Sequence, residues 1–249
     1  MPSISNARSS VNPVILVLAF IDVRLILSCP NMHAIAPDPQ KERLQSLGEE
    51  IANSISHGIG LIAALAAAPI LIWVAVRKGE ALTIVSVSIF AASMVLLYLS
   101  SMIYHCLPRN RAKHVFLIFD HIAIFLLIAG TYTPFALGVL RGALGWTLFG
   151  MIWGVALFGI ITKLVPKLRH SKLSLALYLG MGWMVVLVIR PLCQHLPFDG
   201  LLWLVAGGLA YTVGVIFYVA DKRYSHFIWH LFTIAGTTCH FFAVLWYAV

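Results

Sequence analysis

The residues with the clearest chemistry are His226-Phe227-Ile228-Trp229-His230, near the start of the last apolar stretch. Histidines four apart stand one helical turn apart on the same face. That spacing lets two imidazoles share one metal ion. The stretch that carries them stays apolar to Val249. An ionisable group inside a membrane helix is costly and points to function. The plainer alternative is a pair of histidines at headgroup level, because a five-residue pattern is weak by itself. A third ligand and an acid–base group at the same depth would separate the two readings.

The elements that must position these residues follow from composition. The chain has 249 residues, 61% apolar and 10% charged. A soluble domain carries about 25% charged residues. So few charges cannot solvate a globular surface, and the chain reads as an integral membrane protein. Seven apolar segments, at about 51–76, 83–106, 115–139, 143–162, 173–190, 201–220 and 226–248, are long enough to cross a hydrocarbon core about 30 Å thick. They are too long and too continuously apolar for alternating barrel strands. The expected fold is all-α: a polytopic bundle of seven transmembrane helices over residues 46–249. Residues 1–45 read as a separate extension. Val14 to Cys29 is apolar but short, and Asp22 and Arg24 interrupt it. Met32 is a plausible true start, which would make residues 1–31 dispensable. Cys29, Cys106, Cys193 and Cys239 form no Cys-x-x-Cys pair and indicate neither a disulfide framework nor a thiolate metal site.

The net charge of +8 would suggest a nucleic-acid partner in a soluble protein. Here the basic residues lie in short loops and act as topology signals instead. Arg8, Arg24, Lys41 and Arg43 precede the first segment. Arg109, Arg111 and Lys113 follow the second; Lys163, Lys167, Arg169 and Lys172 follow the fourth; Lys222 and Arg223 follow the sixth. The opposite side has only Arg77, Lys78, Arg141 and Arg190. Excess positive charge marks the cytoplasmic face, so the N-terminus is expected inside and the C-terminus outside, in the cell's inner (plasma) membrane.

This topology brings polar residues of four segments to one depth. The second segment ends with Ser101 one turn before His105. The third soon carries Asp120 and His121. The first begins with Glu50, Asn53 and His57, and the last with His226 and His230. His105, His226 and His230 are the three-imidazole set of an open zinc site, with water in the fourth position. Asp120 is expected beside the ion, to orient that water or take its proton. Ser101 is expected to hydrogen-bond the water or a substrate carbonyl. Each has a plainer alternative. His105 is close enough to the loop to be interfacial, and Ser101 is of a type that packs between membrane helices. His57 is expected to tie the first helix to the bundle. Glu50 would cap that helix or pair with a loop cation. His121 would pack or face a loop, and His240 lies three turns away as an ordinary bundle residue.

Glu50-x-x-Asn53-x-x-x-His57, Ser101-x-x-x-His105, Phe119-Asp120-His121 and His226-x-x-x-His230 together resemble the hemolysin III family of bacterial membrane proteins. That family is related to the adiponectin and progestin receptors and, more remotely, to alkaline ceramidases. The resemblance runs from about Glu50 to the C-terminus. It implies seven helices with the N-terminus inside. It also implies a zinc ion near the cytoplasmic face on His105, His226 and His230, with Asp120 and Ser101 around it. The family name carries a haemolytic activity, and the receptor relatives carry a lipid-amide hydrolysis. Three functions follow as expectations: a zinc-dependent hydrolase of lipid amide or ester bonds, a non-enzymatic sensor of membrane state with a structural zinc, and a cytolytic protein. Membrane lipids are the expected partners, one of them as substrate. A topology reporter fused near Arg109–Lys113 or Lys167–Lys172 is expected on the cytoplasmic side; an outside signal from either would overturn the assigned orientation.

Overall fold

The computed structural model describes residues 44–220 and 222–249. Expectations about residues 1–43, including a start at Met32, lie outside the described residues. The structure is built of helices: α1 (Leu47–Lys78), α2 (Ala81–Cys106), α3 (Arg111–Pro134), α4 (Gly142–Leu164), α5 (Ser171–Trp183), α6 (Ile189–His195), α7 (Phe198–Ala220) and α8 (Ser225–Tyr247). A π turn, Phe135–Leu140, extends α3, and a 3₁₀ stretch, Met184–Val188, joins α5 to α6. Among the described residues seven spans result, each long and apolar enough to cross a membrane, with α5 and α6 together forming the fifth. The all-α, seven-helix reading of the sequence is therefore what the structure has. Large apolar side chains such as Ile62 and Trp73 face outward, where lipid tails accommodate them.

Local chemistry sets the helix ends. Ser46 caps α1, accepting from the Glu49 amide, while the Glu49 carboxylate accepts from the Ser46 amide. This reciprocal box satisfies two amides that lack a helical partner. Glu50, expected as a possible cap, is not the capping residue. At the other end Gly79 takes a left-handed conformation (φ 78°) and returns its amide to Ala75 and Val76. Asn110 caps α3 by accepting from the Lys113 amide. The fifth span breaks because Pro191 lacks an amide proton and its ring crowds the carbonyl four residues back.

Packing is tightest where small residues let helices approach. Gly60 of α1 faces the Tyr98 ring of α2, and Ser54 donates to the Met102 carbonyl at 3.3 Å. Both α2 and α8 pack against α1, and α7 pairs with α8. At the end away from the histidines, Arg141 donates to both Glu80 oxygens at 2.8 and 2.5 Å. These bonds hold the Glu80 carboxyl below its ordinary range. Both partners are exposed, so the pair contributes little to stability.

Gly145 of α4 lies against the Ala136 carbonyl of the π turn, and a Cβ there would collide with that oxygen. Gly145→Ala is expected to cost about 1–3 kcal/mol through overpacking, read as a lowered thermal midpoint in detergent. Gly150→Ala, with nothing within 4 Å of its added carbon, serves as the unchanged control.

Candidate metal centre

The start of α1, the end of α2, the first half of α3 and the start of α8 meet at one end of the bundle. There the ligand atoms of His105, His226 and His230 lie within 4.8 Å of one another. The ring centroids are 5.2 Å apart for His105–His226, 5.0 Å for His105–His230 and 4.6 Å for His226–His230. His226 and His230 share a face because they are one turn apart on α8; His105 reaches them from the last turn of α2. His105 is 3% exposed and His230 1%.

The donor set fits a metal ion. Nε2 of His105 and Nε2 of His226 are buried with no hydrogen-bond partner. A buried unpartnered nitrogen is costly and calls for an explanation. A shared cation would satisfy both nitrogens at once. The Nδ1 atoms of His105 and His230 turn to α1 instead. His105 Nδ1 lies 2.8 Å from Glu50 Oε2, and His230 Nδ1 lies 3.1 Å from Ser56 Oγ and 3.2 Å from the Asn53 carbonyl oxygen.

The remaining candidates sort by position. Asp120 and Ser101 are buried and line a cavity that also touches His226 and His230. Asp120 is not part of the three-histidine cluster. It lies next to Ser101, but the Ser101 hydroxyl has no partner in hydrogen-bonding geometry. Glu50 pairs at 3.0 Å with Lys113, a cation expected in a loop but placed in the first turn of α3, and bridges from there to His105. His57 stacks on His230 with ring centroids 3.6 Å apart and stands edge-on to Tyr98. It does tie α1 to the bundle, but both its ring nitrogens are buried and unpartnered. His121 lines the cavity, and its carbonyl accepts from the Tyr178 hydroxyl. His240 approaches the Leu204 carbonyl well up α8, away from the cluster. Ser56 was not singled out from the sequence, although Glu49, Asn53 and Ser56 recur at helical spacing and share a face.

The cavity has a volume of about 220 Å³ and is walled mostly by apolar side chains, among them Leu127, Ile128, Leu148, Leu179 and Val188. It runs from the histidine cluster to Tyr211 and His240 deeper between the helices. The arrangement joins a cation site, an acid and a hydroxyl to an apolar chamber.

Comparison with known proteins agrees with this picture. The family described as Haemolysin-III related matches residues 45–241. Hemolysin-3 of Bacillus cereus is 46% identical over 206 residues, 82% of this chain and 94% of that protein. The Hemolysin-3 homolog of Bacillus subtilis (strain 168) is 45% identical over 205 residues, 82% of this chain and 96% of its own length. More distantly, the Monocyte to macrophage differentiation factor of Homo sapiens is 27% identical over 207 residues, 79% of this chain and 83% of the human one. Purified protein is expected to carry a bound divalent metal, measured by elemental analysis. His226→Ala should lose it and His240→Ala should keep it; metal retained by His226→Ala would remove the histidine cluster from the site.

Proposed function

This chain belongs to the haemolysin-III-related family and is a multi-pass membrane protein, usually of the plasma membrane; from there we propose that it is a zinc-dependent hydrolase of lipid amide or ester bonds. Zinc is favoured because an all-imidazole set of three suits it and leaves the open position that catalytic zinc sites keep. When bound, such an ion polarises a carbonyl and lowers the pKa of water at its open position towards about 7.

The chain's own groups supply the rest. Asp120, on the cavity wall, accepts the proton released as water attacks the carbonyl carbon, and returns it to the leaving amine or alcohol. The Ser101 hydroxyl, beside Asp120 on the cavity wall, donates to the carbonyl oxygen and turns it towards the cluster. The apolar walls take the acyl chain and keep bulk water from the reacting carbon. The observation that carries this reading is the continuity of that apolar cavity with His226, His230, Ser101 and Asp120. The cytoplasmic orientation belongs to the same proposal. Arg109, Arg111, Lys113, Lys167, Arg169, Lys222 and Arg223 flank the end of the bundle that holds the histidines.

One observation favours a second reading, a membrane-state sensor with zinc as a clip. The three histidines come from only two helices, α2 and α8, and an ion would fasten one to the other. The two readings part on turnover. Purified protein is expected to hydrolyse a member of a ceramide-like and lysolipid panel. Asp120→Ala should lower the rate by about 100-fold or more, and chelation should abolish it. Activity that survives both would sink the hydrolase. If removal of the ion lowers the thermal midpoint and no lipid in the panel turns over, the clip is the better account.

A further inference from the structure

None of the three clustered histidines lies on α1, yet α1 touches each half of the cluster. Glu50 Oε2 stands 2.8 Å from His105 Nδ1. A carboxylate can only accept there, so that nitrogen carries the proton and Nε2 keeps its lone pair. Glu50 is itself held by Lys113, whose Nζ lies 3.0 Å from Glu50 Oε1 and also donates to the Tyr104 and Leu107 carbonyls at 2.9 and 3.2 Å.

The same argument holds two turns along α1. His230 Nδ1 meets the Asn53 carbonyl at 3.2 Å and Ser56 Oγ at 3.1 Å. The Ser56 hydroxyl already donates to the Asn53 carbonyl at 2.8 Å, so its oxygen receives rather than gives. His230 therefore also carries its proton on Nδ1 and presents a bare Nε2. One residue before Glu50, Glu49 Oε1 accepts the Tyr224 amide at 2.9 Å. Tyr224 sits in the left-handed region (φ 60°), immediately before α8 begins. Gly48 makes room for its ring, since a Cβ there would lie 3.1 Å from the Tyr224 hydroxyl. The opening turns of α1 thus fix where α8 starts, and they fix the tautomer of a histidine on each of the two ligand-bearing helices.

We propose that the first three turns of α1 are an outer clamp for the metal centre, with Glu50 and Ser56 as positioning residues that keep His105 and His230 turned with Nε2 towards the ion. The clamp presupposes the metal proposed above. Ligating histidines commonly donate their second nitrogen to a carboxylate or carbonyl, and loss of such a partner weakens metal binding by about 10- to 100-fold. Glu50 occupies that place for His105, and the Ser56 hydroxyl together with the Asn53 carbonyl occupies it for His230.

The test is zinc affinity of the full chain in detergent, by competition with a chromophoric chelator, beside the thermal midpoint of the metal-free protein. Glu50→Ala is expected to weaken zinc by about 10- to 100-fold. Glu50→Gln keeps an accepting oxygen of the same reach and should recover part of that loss. Lys113→Met, which breaks the tether to α3 but leaves the Glu50–His105 bond, should stay within about threefold of wild type. Cobalt-loaded Glu50→Ala should also show a shifted visible spectrum, which a merely structural role would not produce. Glu50→Ala and Glu50→Gln binding zinc as tightly as wild type would overturn the clamp and leave the metal centre standing. Wild type binding no metal would overturn both. Should Glu50→Ala fail to fold, Glu50→Leu, which keeps the bulk and removes the accepting oxygen, decides: unchanged affinity and an unchanged cobalt spectrum reject the clamp.

Discussion

No water reaches the middle of a bilayer, so every polar group carried there must be answered by protein. Most hydroxyls in this bundle meet the demand locally. Ser86 returns to the Thr83 carbonyl, Ser93 to Phe90 and Thr133 to Ala129, each within its own helix. Such residues ask nothing of their neighbours. An imidazole can bond its own helix with one nitrogen, as His195 does with the Pro191 carbonyl, but the second nitrogen, facing away on a rigid ring, needs a partner elsewhere. One nitrogen of His105 and one of His230 find partners on α1, and the remaining lone pairs converge. α1, α2 and α8 are joined by these polar contacts as well as by apolar packing.

The spans were legible because length and hydropathy are properties of whole segments. Their ends were less so, because ends are set by single polar residues that resemble loop. α1 starts at Leu47 rather than about 51, since Ser46 and Glu49 build a cap out of residues that look like a polar lead-in. α3 starts at Arg111 rather than about 115, because a basic first turn capped by Asn110 reads as loop by composition. In the fifth span Pro191 is visible in the sequence. Its effect, a 3₁₀ stretch before it and a further short helix through His195, depends on how the chain repacks around a missing hydrogen bond.

The candidate site divides in the same way. His226 and His230 announce themselves by spacing, and topology brings His105, Ser101 and Asp120 to their depth. Contacts between helices carry no such signal. Nothing about Glu50 in the sequence tells whether it turns to solvent, to Lys113 or to His105; the structure shows it bridging the last two. Ser56 is one serine among many, and only the register of α1 against α8 gives it a histidine to face. The cavity is legible in no single segment, because α3, α4, α5, α7 and α8 all contribute to its walls.

The histidine cluster also has a place in the order of synthesis. Its members and their supports come from the first, second and seventh spans. Membrane chains are made from the N-terminus, and early segments wait for late ones. Through four further spans, His105 and the polar face of α1 stand in the bundle without the α8 groups that complete them. The centre comes into being only when the seventh span docks. A bound ion would then report a finished bundle, and a chain halted before α8 would leave His105 and the polar face of α1 without the α8 groups that complete them.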